Sequence, residues 1–281
     1  MTNTKLIADS GTTKTDWIVL KEDQALQTIR TKGLNPYFQS YESIREELEQ
    51  TLLPQLKESD IDAVYFYGAG CVFDKVDLMC EAIATALSPQ EINVYTDLLA
   101  AAHSTCGDEA CIACILGTGS NSCFYDGKEI VKNIPPLGYI LGDEGGAAMM
   151  GRMLASDVLK EILPKPLRDA FYERFQLTQA DILEHVYRKP YPNRFLASLS
   201  PFLQEHKDTP EIHQLITNSF TSFLSRNVMQ YDYRKYPAHF VGSIAHYYKE
   251  ILTETASTLG VHVGKITQAP IEGLVEYYKN R

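Results

Sequence analysis

The stretch ADSGTTKTDW, residues 8–17, is the polar centre of KLIADSGTTKTDWIVL, residues 5–20, in which two apolar, β-rich segments flank a Gly/Thr turn. This pattern predicts a β-hairpin. Gly11, among small hydroxyl residues, would let backbone N–H groups approach phosphate oxygens closely, and Lys14 could offer positive charge. Asp9, at the end of the first strand, suits a Mg²⁺ site. The spacing is not that of a Walker A loop, and a plain turn satisfied by its own Asp and Thr side chains is the alternative.

A second hairpin of the same kind is predicted for ACIACILGTGSNSCFY, residues 110–125. Aligning Gly11 with Gly119 suggests that the chain consists of two halves built on one plan. In LGTGSNS, residues 116–122, two glycines stand beside Thr118, Ser120 and Asn121, whose N–H and hydroxyl groups suit a phosphate or a sugar hydroxyl. A solvent-exposed turn is the alternative. Two such turns facing each other would clamp a polyphosphate.

Between and after the hairpins, helical and strand patterns alternate, which is typical of an α/β fold. The predicted elements before the second hairpin are helices at 41–56 and 75–87, strands at 62–67 and 92–95, and a helix opening near residue 98. After it come helices at 149–162, 167–175 and 179–186, a mainly helical region at 194–233, a strand at 239–241, a helix from about 244, and a final helix at 271–279.

Two further segments carry candidate site residues with carboxylates. GYILGDEGG, residues 138–146, places Asp143 and Glu144 between glycines, where they could accept hydrogen bonds from sugar hydroxyls. The alternative is an acidic turn that caps the helix beginning near Ala147. Asp97 stands where a strand meets a helix, which is where open α/β sheets place ligands, and it could accept the proton of an attacking hydroxyl. Taken alone, Asp97 fits a helix N-cap better.

FVGSIAHYYKEIL, residues 240–252, predicts a strand, a Gly-Ser turn and an amphipathic helix. Gly242 and Ser243 could let a flat adenine lie against the backbone. A strand-to-helix connection that simply needs a small residue explains the pattern equally well, and on the residues alone it is the preferred explanation.

The composition excludes some classes of protein and constrains the cysteines. With 26 basic and 36 acidic residues among 281, the formal charge of -10 disfavours binding to nucleic acid or anionic lipid. We expect a cytoplasmic protein that does not bind membranes, because no apolar run is long enough for a span and the first residues lack a signal-peptide core. Cys111 and Cys114 form a C-x-x-C without partners at zinc spacing, so buried thiols are expected, with redox or iron-sulfur chemistry left open.

In their order along the chain, five segments resemble the motifs of the actin-like ATPase and sugar kinase superfamily. The segments are ADSGTTKTDW (8–17), YTDLLAAAHS (95–104), LGTGSN (116–121), FVGSIA (240–245) and APIEGLVEYY (269–278). The combination of GTTKT, LGTGSN and GYILGDEGG is similar to the N-acetylglucosamine kinase and BadF/BadG/BcrA/BcrD ATPase family. This resemblance implies a two-domain actin-like (ribonuclease H-like) α/β fold with a central nucleotide cleft. It places one domain at 1–108 plus 267–281 and the other at 109–266.

The resemblance also implies an ATP-dependent and Mg²⁺-dependent kinase that phosphorylates the 6-hydroxyl of an amino sugar. Asp97 falls on the position of the base and Asp9 on the carboxylate that holds Mg²⁺. The positions that line the nucleotide are Asp9, Gly11, Thr12, Thr13, Lys14, Thr118, Gly119, Gly242 and Ser243. The positions that contact the sugar are Asn35, Ser120, Asn121, Gly138, Asp143 and Glu144.

The chain departs from the family pattern in two respects, and the resemblance leaves alternatives open. Ser10 stands where a glycine is more usual, and the chain is short for the family. Relatives include ATPases that activate 2-hydroxyacyl-CoA dehydratase or benzoyl-CoA reductase systems through a shared iron-sulfur cluster, which needs exposed cysteines. A non-catalytic sugar or nucleotide sensor is a third possibility. The resemblance further implies a homodimer, while N-acetylglucosamine, N-acetylmuramic acid, glucosamine and glucose all remain candidate substrates.

Overall fold

The computed structural model describes residues 4–11, 13–58, 60–279 and 281. Its strands are β1 (Thr4–Ser10), β2 (Lys14–Lys21), β3 (Gln24–Lys32), β4 (Ala63–Gly68), β5 (Glu91–Thr96), β6 (Cys111–Leu116), β7 (Ser120–Tyr125), β8 (Ile130–Ile134), β9 (Ala238–Val241) and β10 (Val263–Thr267). Its helices are α1 (Tyr41–Glu47), α2 (Lys75–Leu87), α3 (Asp97–Cys106), α4 (Gly138–Leu141), α5 (Ala147–Leu159), α6 (Lys165–Phe175), α7 (Gln179–Tyr187), α8 (Pro192–Ser198), α9 (Ser200–Glu205), α10 (Pro210–Arg226), α11 (Ser243–Tyr247), α12 (Lys249–Thr258) and α13 (Ile271–Tyr278).

The chain divides into two compact units with the same sheet topology. The first comprises Met1–Asp108 and Ala269–Arg281, and the second comprises Glu109–Gln268. The strand orders are β3-β2-β1-β4-β5 in the first unit and β10-β9-β6-β7-β8 in the second. In each, a hairpin and a third antiparallel strand are extended on one side by two parallel strands. The predicted duplication of one plan is therefore confirmed at the level of sheet topology.

In the first unit, helices cover both faces of the sheet because the strands are apolar on both sides. Leu6 and Trp17 belong to the core beneath α1 and α2. Ile7 and Ile18 belong to the opposite core, which includes Leu274 of α13. The predicted C-terminal helix is confirmed as α13, and the Tyr278 hydroxyl lies 2.7 Å from that of Tyr67 on β4.

In the second unit, the core is built mainly by helices inserted between β8 and β9. Phe171, Phe202, Phe220 and Phe223 are completely buried and come from α6, α9 and α10. They pack with residues of the sheet such as Phe240 on β9. This arrangement confirms the helix-dominated region that the apolar periodicity predicts.

Four elements were not predicted from the sequence: β3, β8, β10 and the short helix α4. β3 and β8 are edge strands of their sheets and β10 is also an edge strand. Their residues are mostly exposed or half-buried, so an apolar alternation is weak or absent. No helix within the described residues is long and apolar enough to cross a membrane.

Candidate functional site

In the first unit, the carboxyl ends of three parallel or adjoining strands meet at one edge of the sheet. Ser10 at the end of β1 pairs with Gly68 at the end of β4, and Gly68 pairs with Thr96 at the end of β5. Asp97 follows β5 directly, and Asp9 is the penultimate residue of β1. The sheet register thus places the two predicted carboxylates at the edge where α/β sheets bind ligands.

Asp9 and Asp97 influence each other electrostatically. Burial, Asp16 and Asp97 raise the pKa of Asp9 to about 7, although Lys14 lowers it. Burial also raises the pKa of Asp97, while the N–H groups of Leu98 and Asp97 itself oppose that rise. The folded chain therefore holds these two carboxyl groups close together without enough positive charge of its own to keep both ionised easily.

Asp97 does not serve as the N-cap of α3, so that alternative is wrong. Thr96 is the cap, and its hydroxyl accepts a hydrogen bond from Leu99 N at 3.2 Å. Asp97 is the first residue of the helix. Because the capping position is already filled, the Asp97 carboxylate is available for another role.

The first turn, between β1 and β2, is open to solvent. Gly11, Thr13 and Lys14 are exposed, and Gly11 N donates to Lys14 O at 3.0 Å. A methyl group on Gly11 would meet no atom nearer than Lys14 O at 3.8 Å. Thr12, which the resemblance also assigned to the nucleotide, lies outside the described residues.

Lys14 is not an isolated cation, and its partners were missed from the sequence. Its Nζ lies 2.5 Å from Asp16 Oδ2, while Arg30 Nε on β3 lies 2.7 Å from Asp16 Oδ1. Burial acts to raise the pKa of Asp16, but the hydrogen bonds from Lys14 and Arg30 outweigh it and lower that pKa. Asp16 alternates with apolar residues in β2, which could have signalled an unusual buried carboxylate, whereas Arg30 lies on the strand that escaped prediction.

Ser10 links the first turn to the predicted sugar contact. Its side chain is buried, its hydroxyl donates to Leu34 O at 2.9 Å, and Leu34 N donates back to it at 2.9 Å. Ser10 Oγ also lies 2.7 Å from Thr15 Oγ1. The serine that replaces the family's usual glycine therefore fixes the segment that leads into Asn35.

Asn35 is buried against the loop that follows β4. A Cβ on Gly70, which has a φ of +79°, would lie 2.1 Å from Asn35 Oδ1, so only glycine leaves room there. Asn35 Oδ1 accepts a hydrogen bond from Tyr37 N at 3.0 Å. Its Nδ2 group donates to no acceptor among the residues that the model describes. The amide is thus oriented, with its donor still free for a ligand.

In the second unit, the turn between β6 and β7 is supported by the start of α5. Ala147 N donates to Gly117 O and Ala148 N donates to Thr118 O, both at 2.9 Å. Thr118 itself is exposed. The first N–H groups of α5 are therefore occupied by this turn.

The acidic loop that precedes α5 lies directly against the same turn. A Cβ on Gly119 would lie 2.8 Å from the Asp143 carboxyl atoms, and Ser120 N donates to Asp143 Oδ1 at 3.3 Å. Burial raises the pKa of Asp143, Ser120 N–H lowers it, and the charge of Glu144 raises it. The predicted residues Gly119, Ser120 and Asp143 are thereby brought together.

Glu144, Asn121 and Gly138 have other neighbours. Arg226 Nε at the end of α10 donates to Glu144 Oε1 at 2.6 Å. Asn121 Oδ1 accepts from Asn133 Nδ2 at 2.9 Å, which ties it to β8. Gly138 begins α4 and accepts a hydrogen bond from Gly142 N. Gly146, rather than an acidic side chain, is the N-cap of α5, so the capping alternative for Asp143 and Glu144 is wrong.

Gly242 is required by packing, as the structural explanation predicts. Its φ is +126°, and a Cβ there would lie 2.2 Å from Leu116 O. Gly242 therefore lies against the last residue of β6, just before the second turn. Ser243 is exposed at the start of α11.

The cysteines and possible metal ligands give no support to an iron-sulfur centre. Cys114 and Cys123 are buried free thiols, as expected, whereas Cys111 is disulfide-bonded, so its prediction as a thiol is wrong. Within the described ranges, no three His, Cys, Asp or Glu side chains form a group that could hold a metal ion. A Mg²⁺ site built on one carboxylate, water and phosphate oxygens does not need such a group.

Comparisons with known proteins give two informative likenesses. A solved structure from Porphyromonas gingivalis, named "Putative N-acetylglucosamine Kinase", is 48% identical, with a TM-score of 0.95 over 98% of this chain and 99% of that one. A structure of the same name from Chromobacterium violaceum is 16% identical, with a TM-score of 0.79 over 98% of both chains. The second likeness shows a shared fold alone. No family model and no curated protein matches the chain.

Proposed function

Because this chain belongs to the N-acetylglucosamine kinase and BadF/BadG/BcrA/BcrD ATPase family of actin-like proteins, we propose that it transfers the γ-phosphate of ATP to the 6-hydroxyl of N-acetylglucosamine. Its general character as a sugar kinase follows from that membership. The particular sugar and hydroxyl are our proposal. The observation that carries it is the carboxyl pair Asp9 and Asp97 at the ligand-binding edge of the first sheet.

Asp97 is assigned the role of general base. A base works best when its pKa approaches the working pH, and burial moves the pKa of Asp97 upward from its ordinary value. Its carboxylate would accept the proton of the sugar hydroxyl as that oxygen attacks phosphorus. Thr96 supports this role by capping α3, which leaves the Asp97 side chain uncommitted.

Asp9 is assigned to a Mg²⁺ ion that accompanies ATP. The fit rests on the pKa of Asp9, which stands near 7 because burial and the neighbouring carboxylates disfavour its charge. A cation at this position would relieve that cost. Bound Mg²⁺ supplies neutralising charge to the phosphates during transfer.

The nucleotide is assigned to the two turns and to the Gly242 segment. Gly11, Thr13 and Thr118 are exposed, so their backbones are accessible to phosphate oxygens. Lys14 would add positive charge, shared with Asp16. Ser243 is exposed beside Gly242, where a flat base could lie against the backbone.

The sugar is assigned to Asn35 and to the residues around the acidic loop. The Nδ2 groups of Asn35 and Asn121 donate to no acceptor within the described part of the chain, while their Oδ1 atoms are both engaged. These oriented donors suit the carbonyl or hydroxyl oxygens of an amino sugar. Asp143 and Glu144 would accept hydrogen bonds from its hydroxyl groups.

A substrate panel tests the proposal. The full chain is incubated with ATP, MgCl₂ and either N-acetylglucosamine, N-acetylmuramic acid, glucosamine or glucose, and ADP release is measured against a sugar-free control. We expect the highest kcat/KM for N-acetylglucosamine and, by phosphorus-proton NMR, an ester at its 6-hydroxyl. Turnover no faster than the sugar-free control with every sugar, or an ester at another carbon, would contradict it.

A further inference from the structure

A cavity in the second unit lies outside the residues assigned to ATP. Its volume is about 370 Å³, within the usual range of small-molecule sites. One wall is apolar and comes from the end of β8 and from the residues around α4, namely Ile134, Pro135, Leu137 and Leu141. The other wall is polar and comes from the end of α10 and the turn after it, including Arg226, Asn227 and Gln230.

The polar wall contains a buried donor without a partner. Asn227 is only 5% exposed, and its Nδ2 group has no hydrogen-bond partner in the described chain. Such buried groups are normally paired with protein, water or ligand. Arg226 beside it is largely exposed and uses its Nε for Glu144, so its two Nη groups remain directed elsewhere. Donors therefore dominate this wall.

The local charge also favours an anion. Lys132 Nζ donates to Gln230 O at 2.7 Å, which adds a second cation next to the lining residue Gln230. Arg226 and Lys132 outnumber the single carboxylate Glu144 at the cavity. This excess of positive charge stands out in a chain with a formal charge of -10. Guanidinium and amide donors match the oxygens of a phosphate group well.

We propose that this cavity binds a small organic phosphate. The phosphate group contacts the Arg226 guanidinium and the Asn227 amide, and the carbon skeleton lies against the apolar wall. Gly142 and Glu144 line the same cavity and belong to the acidic loop assigned to sugar recognition. An occupant here therefore contacts the back of that loop, and its binding needs neither ATP nor sugar.

The test measures binding of glycerol 3-phosphate to the full chain by calorimetry, without ATP, Mg²⁺ or sugar. We expect saturable binding that Asn227→Asp weakens by about tenfold or more, because a carboxylate replaces the donor amide. Arg226→Gln, at an exposed side chain, weakens it to a similar degree. Asn218→Asp, an exposed position in α10, adds the same charge and leaves binding unchanged.

Inorganic phosphate and glycerol distinguish the sources of affinity. Weaker binding of inorganic phosphate supports an organic phosphate held partly by the apolar wall, and equal binding assigns the site to free phosphate. Absence of binding, or wild-type affinity in Arg226→Gln and in any folded Asn227→Asp protein, overturns the proposal. Because kinase turnover is not involved, this outcome is separate from the fate of the proposed reaction.

Discussion

The turns at Gly11 and Gly119 occupy equivalent places in two sheets of the same topology, yet they need glycine for different reasons. A methyl group on Gly11 would enter nearly open space, whereas one on Gly119 would meet the Asp143 carboxylate at 2.8 Å. The second turn is packed into its unit, and the first is left open. Similar sequence signals therefore conceal one glycine kept for folding and one whose role must lie in what approaches it.

The largest stability effect is expected at Gly146, which packs against the second turn. A Cβ on Gly146 would lie 2.7 Å from Gly119 C, and backbone atoms cannot move aside cheaply. Gly146→Ala should lower the free energy of unfolding by about 2–3 kcal/mol. Urea denaturation measures the change. Gly117→Ala is the control, since a Cβ there meets nothing within 4 Å, and an equal loss in both variants would refute the packing argument.

The next effect concerns the charge beside the first turn. Asp9 has a folded pKa of about 7, above the ordinary value of 3.8, so the folded state binds its proton more tightly than the unfolded state. Stability should therefore fall as the pH rises through about 7. Asp9→Asn should lack this fall and exceed the wild type by about 1–2 kcal/mol at pH 9 without Mg²⁺. Identical pH dependence of unfolding in the two proteins would show that Asp9 is not perturbed.

A smaller effect is expected at Ser10, because the first turn is held by a side chain rather than by close backbone packing. Ser10→Ala removes the hydrogen bonds to Leu34 and Thr15 and should cost about 1 kcal/mol. We also expect a raised KM for the sugar, because Leu34 precedes Asn35. Thermal unfolding and steady-state kinetics check both effects. An unchanged KM would separate Ser10 from the sugar contact.

The smallest stability effect is expected at Gly11. Gly11→Ala should change the free energy of unfolding by less than about 0.5 kcal/mol, since the added methyl group has room. The KM for ATP should nevertheless rise, because the methyl group would obstruct phosphate approach. Unfolding curves and ATP titrations are compared with those of the wild type. A large loss of stability would remove the contrast between the two turns.

Local pattern was sufficient to predict much of the fold. The two hairpins, α2 and α13 follow from apolar alternation and helical periodicity, and the actin-like fold implied by the ordered motifs is confirmed. β3 escaped because its sequence QALQTIRTK is polar and only Ile29 and Thr31 are buried. Edge strands satisfy half of their backbone from one neighbour and need little apolar surface, so periodicity does not reveal them.

The site was predictable only where its residues are close in sequence. Asp97 was identified by its place between strand and helix, but the filling of the cap by Thr96 needed coordinates. The pairs Ser10 with Leu34 and Glu144 with Arg226 join residues far apart in sequence, so no local spacing signals them. The assigned roles of the site residues, the homodimer and the cytoplasmic location stay predictions.

The most direct test of the kinase assignment compares wild type with Asp97→Asn, using Asp77→Asn at an exposed position of α2 as the control. ATP-dependent phosphorylation of N-acetylglucosamine and calorimetric binding of the same sugar are measured on each protein. We expect Asp97→Asn to lose about 100-fold or more in turnover while still binding the sugar, with Asp77→Asn unchanged. Turnover near the wild-type rate in Asp97→Asn would contradict the central role given to this carboxylate.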